Sequence, residues 1–116
     1  MSAAKAKGTA AETAVVRFLQ ANGYPHAERR ALAGAFDHGD VAGILGVVIE
    51  VKNAARTELA AWVDEARAEA VVRGPHTYDD LPVVWHKRRG KSDPGEWFVT
   101  MDGRAFMEFL RAWESE

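Results

Sequence analysis

The sequence predicts an α/β fold in which a mixed central sheet is flanked by helices. Three observations predict it. Val47-Val48-Ile49-Glu50-Val51-Lys52 is a β-branched run of strand character, amphipathic helical periodicity appears on either side of it, and the two patterns alternate as α-β-β-β-α-β-β-α. With 116 residues, 47% of them hydrophobic, the chain is expected to build one core and one domain spanning 1–116.

The first helix is expected over Thr9–Ala21, where Val15, Phe18, Leu19 and Asn22 recur near helical spacing and Gly23 supplies a left-handed stop. Thr9-Ala10-Ala11-Glu12 fits a capping box, in which Glu12 reaches back to the cap N–H. A helical wheel also puts Glu12 between Val16 and Leu19, at the margin of the apolar face, from where it can point into a cleft. The Ala/Lys-rich residues 1–7 are expected to be a frayed, basic arm. A strand over His26–Leu32 and a glycine-rich loop over Ala33–Gly39 follow. Val41–Leu45 and Val47–Lys52 then read as a β-hairpin turning near Gly46.

A second helix is expected over Thr57–Arg73, because Leu59, Trp62, Val63, Ala66 and Ala70 share a face and Gly74-Pro75 ends it. Glu58, Glu65 and Glu69 form a separate acidic stripe beside Trp62. This helix serves as a crossover to a strand at 82–87, which a long polar loop joins to a strand at 96–101. Phe106, Phe109, Leu110 and Trp113 make a closing amphipathic helix with Asp102 as its N-cap. Trp62, Trp85, Trp97 and Trp113 all fall at positions expected to be core or interface.

Composition narrows the function. The chain has no cysteine, which excludes disulfides, thiolate zinc sites and a cysteine nucleophile. Fifteen basic residues against 17 acidic give a net charge of −2, so any nucleic-acid contact must come from local clusters. No apolar run approaches a membrane span and Met1–Lys7 carries no apolar signal region; a cytoplasmic protein without a membrane partner is expected. His26, His38, His76 and His86 lack metal-ligand spacing, Ser92 lacks a nucleophile context, and the glycines from Gly34 to Gly46 match no phosphate loop or dinucleotide fingerprint.

The chemistry-bearing residues gather around the β-branched run. Side chains alternate along a strand, so Glu50 and Lys52 emerge on one face while Val51 turns into the core. Asp40, in Asp37-His38-Gly39-Asp40, lies upstream where a paired strand brings a second carboxylate beside Glu50; Asp37 is a competing candidate. Hard divalent cations take oxygen ligands and need only one or two carboxylates plus substrate phosphate oxygens. Asp40 and Glu50 meet that need, and the Val51 carbonyl is a third possible ligand. Lys52 is suited to position an attacking water or to stabilise developing negative charge.

The pattern Lys7-Gly8-Thr9-Ala10-Ala11-Glu12, then Gly39-Asp40, then Glu50-Val51-Lys52, within an α-β-β-β-α-β core, resembles the PD-(D/E)XK nuclease superfamily, and within it the archaeal-type and phage-encoded Holliday-junction resolvases. Gly-Asp stands here where the superfamily nominally has Pro-Asp. The resemblance implies a restriction-endonuclease-like fold and a metal-dependent endonuclease, with Mg²⁺ as cofactor and Mn²⁺ as substitute. It further implies a homodimer that resolves four-way DNA junctions by paired nicks, in a host cytoplasm if phage-encoded. Carried over by position, Asp40 and Glu50 are metal ligands, Lys52 is the catalytic lysine, and Glu12 is the helix carboxylate that assists metal or water. The alternatives are a nuclease for another DNA structure and a non-catalytic DNA-binding module of the same fold.

Lys87-Arg88-Arg89-Gly90-Lys91 puts four cations in five residues at a strand exit, suited to neutralising backbone phosphates without reading sequence. Lys5, Lys7, Arg29 and Arg30 are expected to add phosphate contacts.

Overall fold

In the computed structural model, residues 2–30, 39–72, 74–75 and 79–115 are described. The expected site candidates Asp37 and His38, the loop 31–38, and Arg73 and His76 lie outside them.

Helix α1 spans Ala3–Ala21 and is capped by Ser2, whose side chain accepts a hydrogen bond from the Lys5 N–H at 3.1 Å. The start expected at Thr9 is therefore corrected to Ala3, and residues 3–7 are helix instead of a frayed arm. The physical reason is local. Alanine and lysine are strong helix formers, and Ser2 supplies the cap that Thr9 was expected to supply. Thr9 sits mid-helix, where its carbonyl accepts from Thr13 Oγ1 at 3.0 Å, so Glu12 has no cap to serve.

Strands β1 (Glu28–Arg29) and β2 (Val41–Ala42) pair antiparallel, with Arg29 opposite Val41. Strand β3 (Val47–Lys52), helix α2 (Leu59–Glu69) and strand β4 (Leu81–His86) form a crossover in which β3 and β4 run parallel, Glu50 opposite Val84 and Lys52 opposite His86. After a 3-10 turn at Pro94–Glu96, strand β5 (Phe98–Thr100) pairs antiparallel with β4. Helix α3 (Gly103–Glu114) follows, capped by Asp102. The fold is thus mixed α/β, with three helices and a mixed three-stranded sheet ordered β3-β4-β5 among the described residues. The expected element order and the parallel crossover are both present.

The expected hairpin is corrected. Strand β2 stops at Ala42 and joins β1, and among the described residues the backbone bond that ties this segment to β3 runs from the N–H of Asp40, just before β2, to the Ile49 carbonyl, 2.8 Å. Gly43 explains the early stop: its φ of +92° leaves strand geometry, and a Cβ there would stand 2.2 Å from the His26 carbonyl oxygen.

Alternation along β3 sorts its side chains between two layers. Ile49 and Val51 join Ala11, Val15, Val16 and Leu19 of α1 and Val83 of β4 in the main core. On the opposite face, Trp62 and Ala66 of α2 pack on Val84, and Glu50 and Lys52 emerge on that side. Trp62 and Trp97 are buried as expected and Trp85 makes an edge contact with Phe18, but Trp113 is 69% exposed. Among the described residues no helix is long and apolar enough to cross a membrane.

Asp102 ties α3 to α2. It accepts from Ala105 N–H at 2.8 Å as N-cap and takes two 2.7 Å hydrogen bonds from Arg67. The Arg67 guanidinium holds its carboxyl down to about 2. Asp102→Ala is expected to cost about 1–2 kcal/mol, a cap plus a half-exposed ion pair. Because the folded pKa lies below the unfolded one, that stabilisation is present above about pH 4 and is lost as pH falls through 2. Urea melts of both proteins at pH 7 and pH 2.5 check it: the gap between them should shrink at the lower pH.

Candidate active site at the end of strand β3

The site is built where α1, β2, β3 and α2 meet. Asp40 precedes β2, and its Oδ2 accepts the Val51 N–H at 2.7 Å while its own N–H donates to the Ile49 carbonyl at 2.8 Å. One residue thus holds β3 twice, once through the main chain and once through its carboxylate. By the alternation of strand carbonyls, that of Val51 faces the same edge as that of Ile49, the edge Asp40 occupies. Asp40, Glu50 and the Val51 main chain are therefore neighbours, as the sequence predicts.

Gly39 makes this approach possible. Its φ is +92°, and a Cβ on it would lie 2.8 Å from the Ile49 oxygen that Asp40 N–H uses. Gly39→Ala is expected to cost about 1–2 kcal/mol from the left-handed backbone alone and to weaken divalent-cation binding by shifting Asp40 along β3. A denaturant melt paired with a Mn²⁺ titration measures both effects.

Glu50 is 3% exposed and hydrogen-bonds the carboxyl groups of Glu69 and Asp40. Burial, the Glu69 hydrogen bond and the charges of Asp40, Glu69 and Glu65 together push its pKa up to about 10. Burial also raises Asp40 above its ordinary value, against the opposing pull of the Val51 N–H, Lys52 and the Glu50 hydrogen bond. Carboxyl oxygens of Glu50, Glu65 and Glu69 lie within 4.8 Å of one another.

Lys52 donates to Glu65 Oε2 at 2.8 Å. Burial pulls its ammonium pKa down, but Glu65, Glu50 and Asp40 outweigh that pull and hold it above 10.5. These carboxylates favour the charged ammonium form of Lys52.

Glu12 stands on the α1 side of Asp40. Its Oε1 accepts from Arg29 Nε at 3.1 Å, and burial and the Asp40 charge raise its pKa while Arg29 lowers it. Lys5, Arg29, Arg30, Glu12 and Asp40 line one cavity of about 410 Å³.

The basic cluster after β4 is partly engaged by its own loop, where the Lys87 ammonium donates to the Arg88 carbonyl at 3.4 Å and lies over the Trp97 ring. Lys87 and Arg89 line a groove of about 530 Å³ together with Lys7, Asn53 and Thr57. Arg88 and Lys91 turn to their own loop: Arg88 donates to the Glu96 carbonyl at 2.8 Å and covers the Phe98 ring, and Lys91 pairs with the Glu96 carboxylate at 3.2 Å.

Sequence reasoning did not assign Glu65 and Glu69 to the site. It read them as a stripe apart, whereas Trp62, Glu65, Ala66 and Glu69 follow i, i+3, i+4, i+7 spacing and so share the face α2 turns to the sheet. That spacing was the available signal.

The donor set fits a hard divalent cation. It is all oxygen, it is centred on the buried Glu50, and one carboxyl oxygen from each of Glu50, Glu65 and Glu69 lies within 4.8 Å of the other two. Compared with family models, curated proteins and solved structures, the chain matches none of them.

Proposed function

We propose that this chain is a divalent-metal-dependent, structure-selective DNA endonuclease with a restriction-endonuclease-like core, acting on branched DNA and most readily on a four-way junction. The observation that carries the reading is the convergence of Asp40, Glu50 and Lys52 at the end of β3, with Glu50 buried among carboxyl groups. These are the positions at which the sequence resembles the PD-(D/E)XK nucleases. A structural surface ion pair would not require a carboxyl to be buried beside three others.

In this reading Asp40 and Glu50, joined by Glu69, hold Mg²⁺ or Mn²⁺, with the Val51 carbonyl facing the same edge. Bound there, the cation would offset phosphate charge and make water easier to deprotonate. The chain's own groups do the rest. Lys52, fixed by Glu65, presents a permanent positive charge to the non-bridging oxygens of the phosphate under attack. Glu12 is held by Arg29 at the wall of the adjoining cavity, where it can accept a hydrogen bond from the water. Lys5, Arg29, Arg30, Lys7, Lys87 and Arg89 contact flanking phosphates.

Paired nicks require two copies, and the exposed stack of Phe106, Phe109 and Trp113 along α3 is the apolar surface available for a homodimer. The test is incubation of the protein with a labelled four-way junction and a matched linear duplex, in Mg²⁺, in Mn²⁺ and in chelator. Symmetric nicks in the junction alone, dependent on metal, are expected. Equal cutting of both DNAs would remove the branch selectivity, and junction binding without cutting in either metal would leave a non-catalytic module.

A further inference from the structure

Two basic cavities lie on opposite flanks of one helix. Lys5, Thr9 and Glu12 follow i, i+4, i+7 spacing on α1 and line the cavity shared with Arg29, Arg30 and Asp40. Lys7 is two residues from Lys5, about 200° around the helix. It continues the row of Ala11, Val15 and Leu19 one turn beyond the core, and there it lines the groove with Asn53, Thr57, Lys87 and Arg89.

That groove lies at the carboxyl ends of the parallel strands β3 and β4, between the loops that leave them. Open α/β sheets bind their ligands outside such strand ends. Among the described residues its charged lining is Lys7, Lys87 and Arg89. Among the described residues the other cavity carries three cations against two carboxylates, and one of its walls is Asp40. Both are therefore suited to phosphates, and the exposed N-terminal turns of α1 stand between them.

We propose that the N-terminal turns of α1 divide two strand channels, so that the backbones of two parted DNA strands run one on the Lys5 side and one on the Lys7 side. The inference rests on the nuclease reading for its ligand and adds the element that selects branched DNA. A duplex offers one continuous pair of backbones and must open to straddle the ridge; a fork or junction arrives with its strands already apart. Asn53 and Thr57 supply uncharged hydrogen-bonding groups in the Lys7 channel, which suits backbone tracking without base readout.

The absence of cysteine makes the test direct, because Lys5→Cys and Lys7→Cys each create a single attachment point on an exposed helical surface. Each variant carries a benzophenone maleimide and is irradiated, in chelator, with a Y-shaped fork whose strands bear different fluorophores. The probe at position 5 is expected to cross-link mainly to one strand and the probe at position 7 mainly to the other. Unmodified protein is expected to bind the fork about tenfold more tightly than a matched duplex at the same salt. Lys5→Glu and Arg89→Glu, measured alongside, should each weaken fork binding more than duplex binding.

Cross-linking of both probes to the same strand, or equal yields on both strands from each probe, would overturn the divider. So would equal affinity for fork and duplex. Opposite-strand cross-linking by a protein that cuts no DNA in Mg²⁺ or Mn²⁺ would uphold the divider and reject the nuclease. Absence of any DNA binding would reject both.

Discussion

Lys52→Ala is expected to slow junction cleavage by about a thousandfold, the upper range for loss of one preorganised charge at a developing oxyanion, while junction binding in chelator stays near the wild-type level. Glu65, Glu50 and Asp40 favour the charged ammonium against the pull of burial, so in the proposed mechanism Lys52 would contribute charge at a fixed point and no proton transfer. The pH–rate profile of the wild type should accordingly show no limb from Lys52 near neutrality. Lys52→Arg should recover little, because a planar guanidinium does not reproduce the compact ammonium held by Glu65. Glu65→Gln, which loosens the lysine without removing it, should lower the rate less than Lys52→Ala does. Single-turnover cleavage assays over a range of pH separate these outcomes, and a Lys52→Ala enzyme within threefold or so of wild type would remove the lysine from the mechanism.

Glu50→Gln is expected to abolish cleavage and, without metal, to stabilise the fold at alkaline pH. Glu50 binds its proton up to about pH 10 in the folded chain but only up to its ordinary 4.5 when unfolded. Between those values the folded state holds the extra proton. Its stabilising contribution is thus complete below pH 4.5 and is lost as pH rises through 10. Wild-type melting temperature in chelator should fall from pH 6 to pH 9. The Gln variant should fall less and melt roughly 4–8 °C higher at pH 9, the equivalent of about 1 kcal/mol in a domain near this size. Saturating Mn²⁺ should reverse the order by stabilising only the wild type, by about 2.7 kcal/mol at a hundredfold excess over Kd. Differential scanning calorimetry across pH, with and without Mn²⁺, reads all three.

The element order was legible because periodicity and punctuation agree along most of this chain. Val47–Lys52 is β-branched, α2 ends before Gly74-Pro75, and Asp102 caps α3 where its N-cap was expected. The shared side of Glu50 and Lys52 was legible for the same reason, since strand alternation fixes which side of β3 the charges leave. What was not legible depended on contacts between elements. The capping-box pattern at Thr9 is a local signal that Ser2 and a helix-forming Ala/Lys segment override. The expected hairpin failed at Gly43, whose close approach to His26 bends β2 toward β1, a tertiary fact with no mark in the sequence beyond the glycine itself. Glu65 and Glu69 went unassigned because an acidic stripe on a helix is usually solvated. Their meeting with Glu50 follows only once α2 is packed on the sheet by Trp62 and Ala66. The basic run after β4 carried more charge in sequence than it offers in space, since Arg88 and Lys91 bind Glu96 in their own loop.

The claim on which everything else depends is that the carboxyl cluster around Glu50 is a divalent-cation site, and its most direct measurement is Mn²⁺ titration at pH 8 followed by loss of the free-ion electron paramagnetic resonance signal. Wild-type protein with a bound four-way junction should show saturable Mn²⁺ uptake that Glu50→Gln loses and Lys52→Ala retains. Equal uptake by wild type and Glu50→Gln, or no uptake by either, would contradict the account.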